Sequence, residues 1–162
     1  MSIVKDMSLA PSGHQKIQWV RDFMPALSGI EERFRREKPF EGLTIAVSVH
    51  LEAKTANLGY VLAKGGAEVR LTGSNPLSTQ DDVAAAMADL GVETFGVHGV
   101  DMQGYEDLLV ETLKCRPHLI VDDGGDLISL MGGKCAQYGD RLLGGCEETT
   151  TGIHRLYARE RA

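Results

Sequence analysis

Short runs of β-branched and apolar residues alternate with helix-length stretches along most of this chain, and no other feature limits its fold as much. Residues 43–49 (LTIAVSV), 67–72 (AEVRLT), 92–97 (VETFGV) and 118–122 (HLIVD) are such runs, with 142–146 (LLGGC) a weaker fifth. Each reads as a strand buried on both faces, as a parallel sheet requires. Between them, 52–65, 79–90, 103–114 and 127–138 are long enough for crossover helices. In 79–90, Ser78 or Thr79 is the expected N-cap, Asp81 and Asp82 favour the positive end of the helix dipole, and Gly91 ends the helix. The pattern predicts an α/β fold with an open, doubly wound, mostly parallel sheet in three layers, flavodoxin-like or Rossmann-like.

Ahead of the first run, Ile17, Val20, Phe23, Met24 and Leu27 recur at helical spacing, with Pro25 expected to break the run. Residues 1–40 are therefore expected to form a helical arm and 41–162 the α/β domain. The charged stretch EERFRREK (31–38) reads as a solvated helix face rather than an anion site.

Charge excludes several functions. With 17 Lys+Arg against 23 Asp+Glu, the formal charge of −6 disfavours phosphate backbones and anionic headgroups, so neither nucleic acid nor membrane is an expected partner. No apolar run approaches the roughly 18 residues that span a bilayer. The opening MSIVKDMSLAPSG has no apolar core of signal-peptide length. Cys115, Cys135 and Cys146 form no CxxC pair, which suits a reducing compartment, and a cytoplasmic location is expected.

In an open parallel sheet, ligands bind at the carboxyl ends of the strands. Polar residues collect there four times. VSVHLEAKTA (47–56) sets His50, Glu52 and Lys54 at a strand-to-helix turn, where they either handle protons or simply open an amphipathic helix. SNPLSTQDD (74–82) offers Asn75, Ser78, Thr79 and Gln80 to a polar ligand, although turn chemistry around Pro76 accounts for most of it. IVDDGGD (120–126) ends a strand in paired carboxylates and two glycines. Asp122, Asp123 and Asp126 there suit ligand hydroxyls or a cation, with one of them capping the next helix. No metal signature accompanies them, and no metal is expected. CEETTTG (146–152) opens a last helix with free amides and hydroxyls, suited to an anion or amide group or to a capping box. GxGxxG, Walker A, GxSxG and HExxH motifs are all absent from the sequence.

The set VKDMSLA (4–10), HLEAKTA (50–56), GAEVRLTGSNPLSTQDDVAAA (66–86), DDGGDL (122–127) and EETTTGIHRLY (147–157) resembles the N-terminal half of the S-adenosylhomocysteine hydrolase family, in order and over nearly the whole chain. The resemblance implies reversible hydrolysis of S-adenosyl-L-homocysteine, with S-inosyl-L-homocysteine as the alternative substrate, in which a tightly held NAD oxidises the ribose 3′-hydroxyl so that homocysteine can be eliminated and water added. It implies that His50 and Asp123 act at the 5′ side of the ribose and that Glu148 accepts a hydrogen bond from a ribose hydroxyl. It also implies that Thr149, Thr150 and Thr151 touch the nicotinamide end of NAD, and that Glu52, Lys54, Thr55 and Gln80 belong to the substrate-binding wall.

Two departures from the family pattern matter. The family's NAD-binding Rossmann domain and C-terminal tail are not in these 162 residues, so this chain alone is expected not to turn over, and homotetramer formation is a family expectation only. The alternative is a stand-alone, non-catalytic paralogue or partner-binding domain. Many members read HxTxETA where this chain has Glu52 and Lys54 in HLEAKTA. An ammonium only donates, so Lys54 suits a 6-oxo base and the S-inosyl substrate, unless it pairs with Glu52.

Overall fold

The structure, a computed structural model describing residues 1–161, begins with strand β1 (Ile3–Val4) and helices α1 (Ala10–Asp22) and α2 (Pro25–Glu37). Four strand–helix units follow: β2 (Thr44–Val49) with α3 (Ala53–Lys64), β3 (Glu68–Gly73) with α4 (Asp81–Asp89), β4 (Glu93–Gly96) with α5 (Met102–Leu113), and β5 (Leu119–Asp122) with α6 (Asp126–Met131). Strand β6 (Gly144–Glu147) and helix α7 (Thr150–Glu160) come last.

All strand pairs are parallel, in the order β1-β4-β3-β2-β5-β6. The chain winds outward from β2 through β3 and β4, then returns to the other side of β2 with β5 and β6. The reversal between β2 and β5 is the topological switch point, and the turns leaving those two strands diverge to leave a crevice there.

Alternation along β2 builds a core on each face of the sheet. Ile45, Val47 and Val49 pack with Ile17, Val20, Leu71, Val83 and Met87 beneath α1, α3 and α4. Ala46 and Ile120 pack with Tyr105, Leu109, Leu113 and Leu127 beneath α5 and α6. These are the three layers expected from the apolar runs.

Four details differ from the sequence expectation. β1 adds a sixth strand on β4; its two residues are too few to produce a periodic signal. The N-cap of α4 is Gln80, without a side-chain cap bond, because the Ser78 and Thr79 hydroxyls donate instead to the Asn75 carbonyl. The stretch 127–138 holds only the six-residue α6, stopped at Gly132, and a single 3₁₀ turn at Ala136–Tyr138. β6 is an edge strand, and its central residues are exposed rather than buried on both faces. Pro25 ends one helix and begins the next, as a residue without an N–H does best at a first helical position. In the charged stretch 31–38, Glu31 alone is buried, held by Arg21 at 2.8 Å and by Arg35.

Candidate active site

A cleft of about 1140 Å³ opens at the carboxyl ends of β2, β5 and β6 and is walled on one side by the α1–α2 hinge. His50, Glu52, Lys54, Thr55, Gln80 and Glu148 all line it. Of the residues expected at the site, Asp123 faces this group through His50, while Thr149, Thr150 and Thr151 open the adjoining helix.

The β2–α3 turn is set by a buried plug. Leu51 is fully buried against the sheet, and the chain turns His50 out to solvent beside it. Gly96 makes room for the plug, because a Cβ there would lie 2.4 Å from the Leu51 Cδ2. Glu52 then caps α3, its Oε1 accepting from the Lys54 and Thr55 amides at 3.0 and 3.2 Å. Among the described residues the Lys54 ammonium has no ion-pair or hydrogen-bond partner, so the expected alternative of a Glu52–Lys54 pair does not form. Thr55 is buried in the cleft wall. The Gln80 Oε1 accepts from the Lys16 ammonium at 3.0 Å, which ties the wall to α1.

His50 is held by a hydroxyl relay. The Ser78 Oγ donates to the Asn75 carbonyl at 3.1 Å and lies 2.6 Å from His50 Nδ1. That contact engages Nδ1 and leaves Nε2 as the ring nitrogen turned toward Asp123. Nε2 faces Asp123 Oδ2 at 3.6 Å, and that oxygen also accepts from the Ser74 Oγ at 2.7 Å. The arrangement can take up a proton at Nε2 and stabilise it with the Asp123 carboxylate.

The opposite rim is built by two turns tied together. Gly124 and Gly125 both have left-handed φ, +88° and +76°, which side chains with a Cβ adopt only under strain. Asp122, inside this turn, accepts from the Asp123 and Ile128 amides at 3.1 and 3.2 Å. Burial pushes its carboxyl up to about 6, with the nearby charges of Glu147 and Asp126 adding to the effect. Tyr105 reaches this region from α5, its hydroxyl 2.9 Å from both the Ser74 carbonyl and Asp126; burial, followed by the nearby carboxylates, raises its pKa. The Glu148 amide donates to the Asp122 carbonyl at 2.9 Å, which leaves the Glu148 carboxylate exposed at the cleft edge.

At the start of α7, Thr149 is the N-cap. Its hydroxyl donates to Glu147 at 2.8 Å and accepts from the Gly152 amide at 3.1 Å. The Thr150 and Thr151 side chains are exposed beside it. Their hydroxyls, with the first-turn amides of α7 that are unpaired among the described residues, form a mixed donor and acceptor set.

Sequence reasoning undervalued three parts of the site. Ser78 reads as a helix cap or ligand contact and Ser74 as part of the turn, yet they hydrogen-bond His50 and Asp123. Glu147 draws no role from the sequence, yet it accepts three hydrogen bonds. The α1–α2 hinge reads as part of an arm, yet Phe23, Met24, Leu27 and Ile30 wall the cleft; the signal was the apolar spacing that continues past Pro25. Burial pushes the Cys115 thiol up to about 11 and Cys135 is buried, whereas Cys146 is exposed on the cleft wall. Among the described residues, no group of three or more His, Cys, Asp or Glu side chains is arranged to hold a metal ion, and no helix is long and apolar enough to cross a membrane.

Known proteins match this chain over most of its length. Residues 1–139 match the family model described as S-adenosyl-L-homocysteine hydrolase. The chain is 53% identical over 156 residues to the S-inosyl-L-homocysteine hydrolase of Methanococcus maripaludis, covering 96% of this chain and 38% of that protein. It is 50% identical over 158 residues to the S-inosyl-L-homocysteine hydrolase of Methanocaldococcus jannaschii, covering 98% and 38%. It is 48% identical over 158 residues to the adenosylhomocysteinase of Pyrococcus abyssi, covering 98% and 37%. The chain thus spans a little over a third of the length of these relatives, and across that span it belongs to the S-adenosyl-L-homocysteine hydrolase family.

Proposed function

We propose that this chain supplies the nucleoside-binding half of a thioether hydrolase that cleaves S-inosyl-L-homocysteine in preference to S-adenosyl-L-homocysteine, reversibly yielding nucleoside and homocysteine. The observation that carries the choice of base is the Lys54 ammonium, partnerless among the described residues on the cleft wall while Glu52 is engaged in capping α3. An ammonium donates to a 6-oxo group, whereas the 6-amino group of adenine would meet it donor to donor. The S-inosyl names of two of the relatives above support the same choice.

The site residues take distinct roles in this reading. Glu148 accepts from a ribose hydroxyl and fixes the sugar against the rim. His50 Nε2 takes or returns a proton at the 5′ side, where the thiol leaves and water adds, and Asp123 holds the imidazolium charge. Thr55 and Gln80 shape the wall, and residues 1–40 act as an arm whose hinge shields the base from water. NAD, when bound, supplies reversible hydride removal at the ribose 3′ carbon. Thr150 and Thr151, with Thr149 as the cap that orders them, hold its carboxamide end, and a dinucleotide-binding portion outside these residues holds the remainder. The working protein is a cytoplasmic homotetramer in this account.

The test is the ratio of kcat/KM for the two nucleoside thioethers in the full-length protein containing this chain, with and without Lys54→Glu. The ratio is expected to favour the inosyl substrate and to fall by about ten- to a hundredfold in the variant. An unchanged ratio contradicts the base assignment.

A further inference from the structure

We propose that Glu147 and Arg155 form a clasp on the Gly124 peptide, and that this clasp positions Asp123 on one turn against Glu148, Thr150 and Thr151 on the next. The inference rests on the reading above and deepens it by naming what keeps the nucleoside side and the cofactor side of the site at a fixed spacing.

The Gly124 peptide is gripped from both ends. Its N–H donates to Glu147 Oε1 at 2.7 Å, and its carbonyl accepts from Arg155 Nη1 at 2.6 Å. Glu147 belongs to β6 and Arg155 to α7, so both jaws come from the segment that carries Glu148 and the threonines. The consecutive left-handed glycines turn the β5–α6 loop so that this peptide meets both jaws. Arg155 also pairs with Asp126 at 3.0 Å, which anchors the jaw to the start of α6.

Glu147 Oε1 is the hub. Besides Gly124 it accepts from the Thr149 amide at 3.0 Å and from the Thr149 hydroxyl at 2.8 Å. The carboxylate lies directly on Gly152, where a Cβ would approach its Cδ to 2.1 Å. Its second oxygen is buried and, among the described residues, has no hydrogen-bond partner. Leaving that oxygen without a donor costs stability, whereas the first oxygen joins the Gly124 turn to Thr149. Glu147 is a positioning residue in this scheme: it acts through the Gly124 and Thr149 amides that it holds.

The charged surroundings are defined. Asp122 is the register partner of Glu147 across β5–β6, and Asp126 and the Tyr105 hydroxyl face the same region from α6 and α5. The Glu147 charge therefore acts on the Asp122 carboxyl as well as on the amides.

The experiment is amide hydrogen exchange by NMR on the full 162-residue chain, with Glu147→Ala, Glu147→Gln and Arg155→Ala, together with the titration of the Asp122 carboxyl. Glu147→Ala is expected to accelerate exchange at Gly124 and Thr149 together, by about tenfold or more, since both lose a bond to a charged acceptor. Glu147→Gln, which keeps an acceptor oxygen, is expected to restore both to within about threefold while lowering the Asp122 midpoint, because a neighbouring negative charge is gone. If Glu147→Ala does not fold, Arg155→Ala removes the exposed jaw alone and is expected to loosen Gly124 severalfold without changing Thr149. Wild-type exchange at Gly124 and Thr149 in Glu147→Ala overturns the clasp, as does a Glu147→Gln protein no better protected than the alanine variant. In a chain that does not tolerate Glu147→Ala, unchanged Gly124 exchange in Arg155→Ala overturns it. Loss of nucleoside binding with the coupled exchange intact would instead sink the functional reading and leave the clasp standing.

Discussion

The two rims of the cleft are built by opposite means. On the β2–α3 side, His50 projects from a turn pinned by the apolar plug Leu51, and its polar support is a pair of neutral hydroxyl contacts through Ser78. On the β5–β6 side, Asp123 and Glu148 ride on loops cross-tied by Glu147, Arg155 and Asp122, with charged groups in nearly every bond. A plug leaves the histidine able to change protonation without disturbing the backbone. Charged cross-ties give a fixed rim, at the cost of a buried carboxylate whose proton affinity is raised.

That contrast can be broken first at the chemistry. His50→Asn in the full-length protein is expected to lower kcat by about 10²–10⁴-fold while leaving the thermal midpoint near wild type, because the ring is exposed and Leu51 does the packing. Steady-state kinetics with a parallel melting curve checks both halves.

The next effect belongs to the charged rim and depends on pH. Asp122 titrates near 6 when folded against an ordinary 3.8, so between about pH 4 and 6 the folded chain binds more protons than the unfolded one. Its contribution to stability is whole below about pH 4 and is lost as pH rises through 6, by about 3 kcal/mol in total. Asp122→Asn is expected to lose about 1 kcal/mol at low pH, through one forfeited amide bond, and to flatten this decline. Urea unfolding from pH 4 to 8 measures it; an equal decline in both proteins contradicts the assignment.

Two glycines sharpen the comparison. Gly152→Ala would drive a methyl into the Glu147 carboxylate and is expected to cost about 2–3 kcal/mol in urea unfolding, displacing the Thr149 amide in NMR spectra. Gly96→Ala presses only on the terminal methyl of Leu51 and is expected to cost about 1–2 kcal/mol, with the Gly124 and Thr149 amides unmoved. The smallest effect is that of Ser78→Ala. Freed from its hydroxyl partner, the imidazole no longer has a fixed orientation, and kcat is expected to fall about three- to tenfold in steady-state kinetics.

Much of this architecture was legible in the sequence. The apolar runs around Ile45 and Val47, Leu71, Phe95 and Ile120 gave four parallel strands within a residue or two, since strands buried on both faces have no polar alternation to blur them. The sheet rule pointed to the polar residues that follow each strand, and the family resemblance narrowed them to His50, Asp123 and Glu148. What was not legible depends on long-range contacts. Nothing local says that Ser78 spends its hydrogen on Asn75, that Glu147 rather than Glu148 gathers the Gly124 amide, or that Met24 and Leu27 close the cleft. The pairing of Ile3 and Val4 with β4 likewise depends on a partner more than 90 residues away.

The central claim is that His50, Lys54, Asp123 and Glu148 line one nucleoside pocket at the β2/β5 switch point. Titrating the isotope-labelled chain with inosine and with adenosine while following amide shifts tests it most directly. Shifts clustered on residues 49–55, 122–124 and 147–151, larger for inosine than for adenosine at equal concentration, are the expected result. Shifts centred elsewhere, or none at millimolar nucleoside, would contradict it.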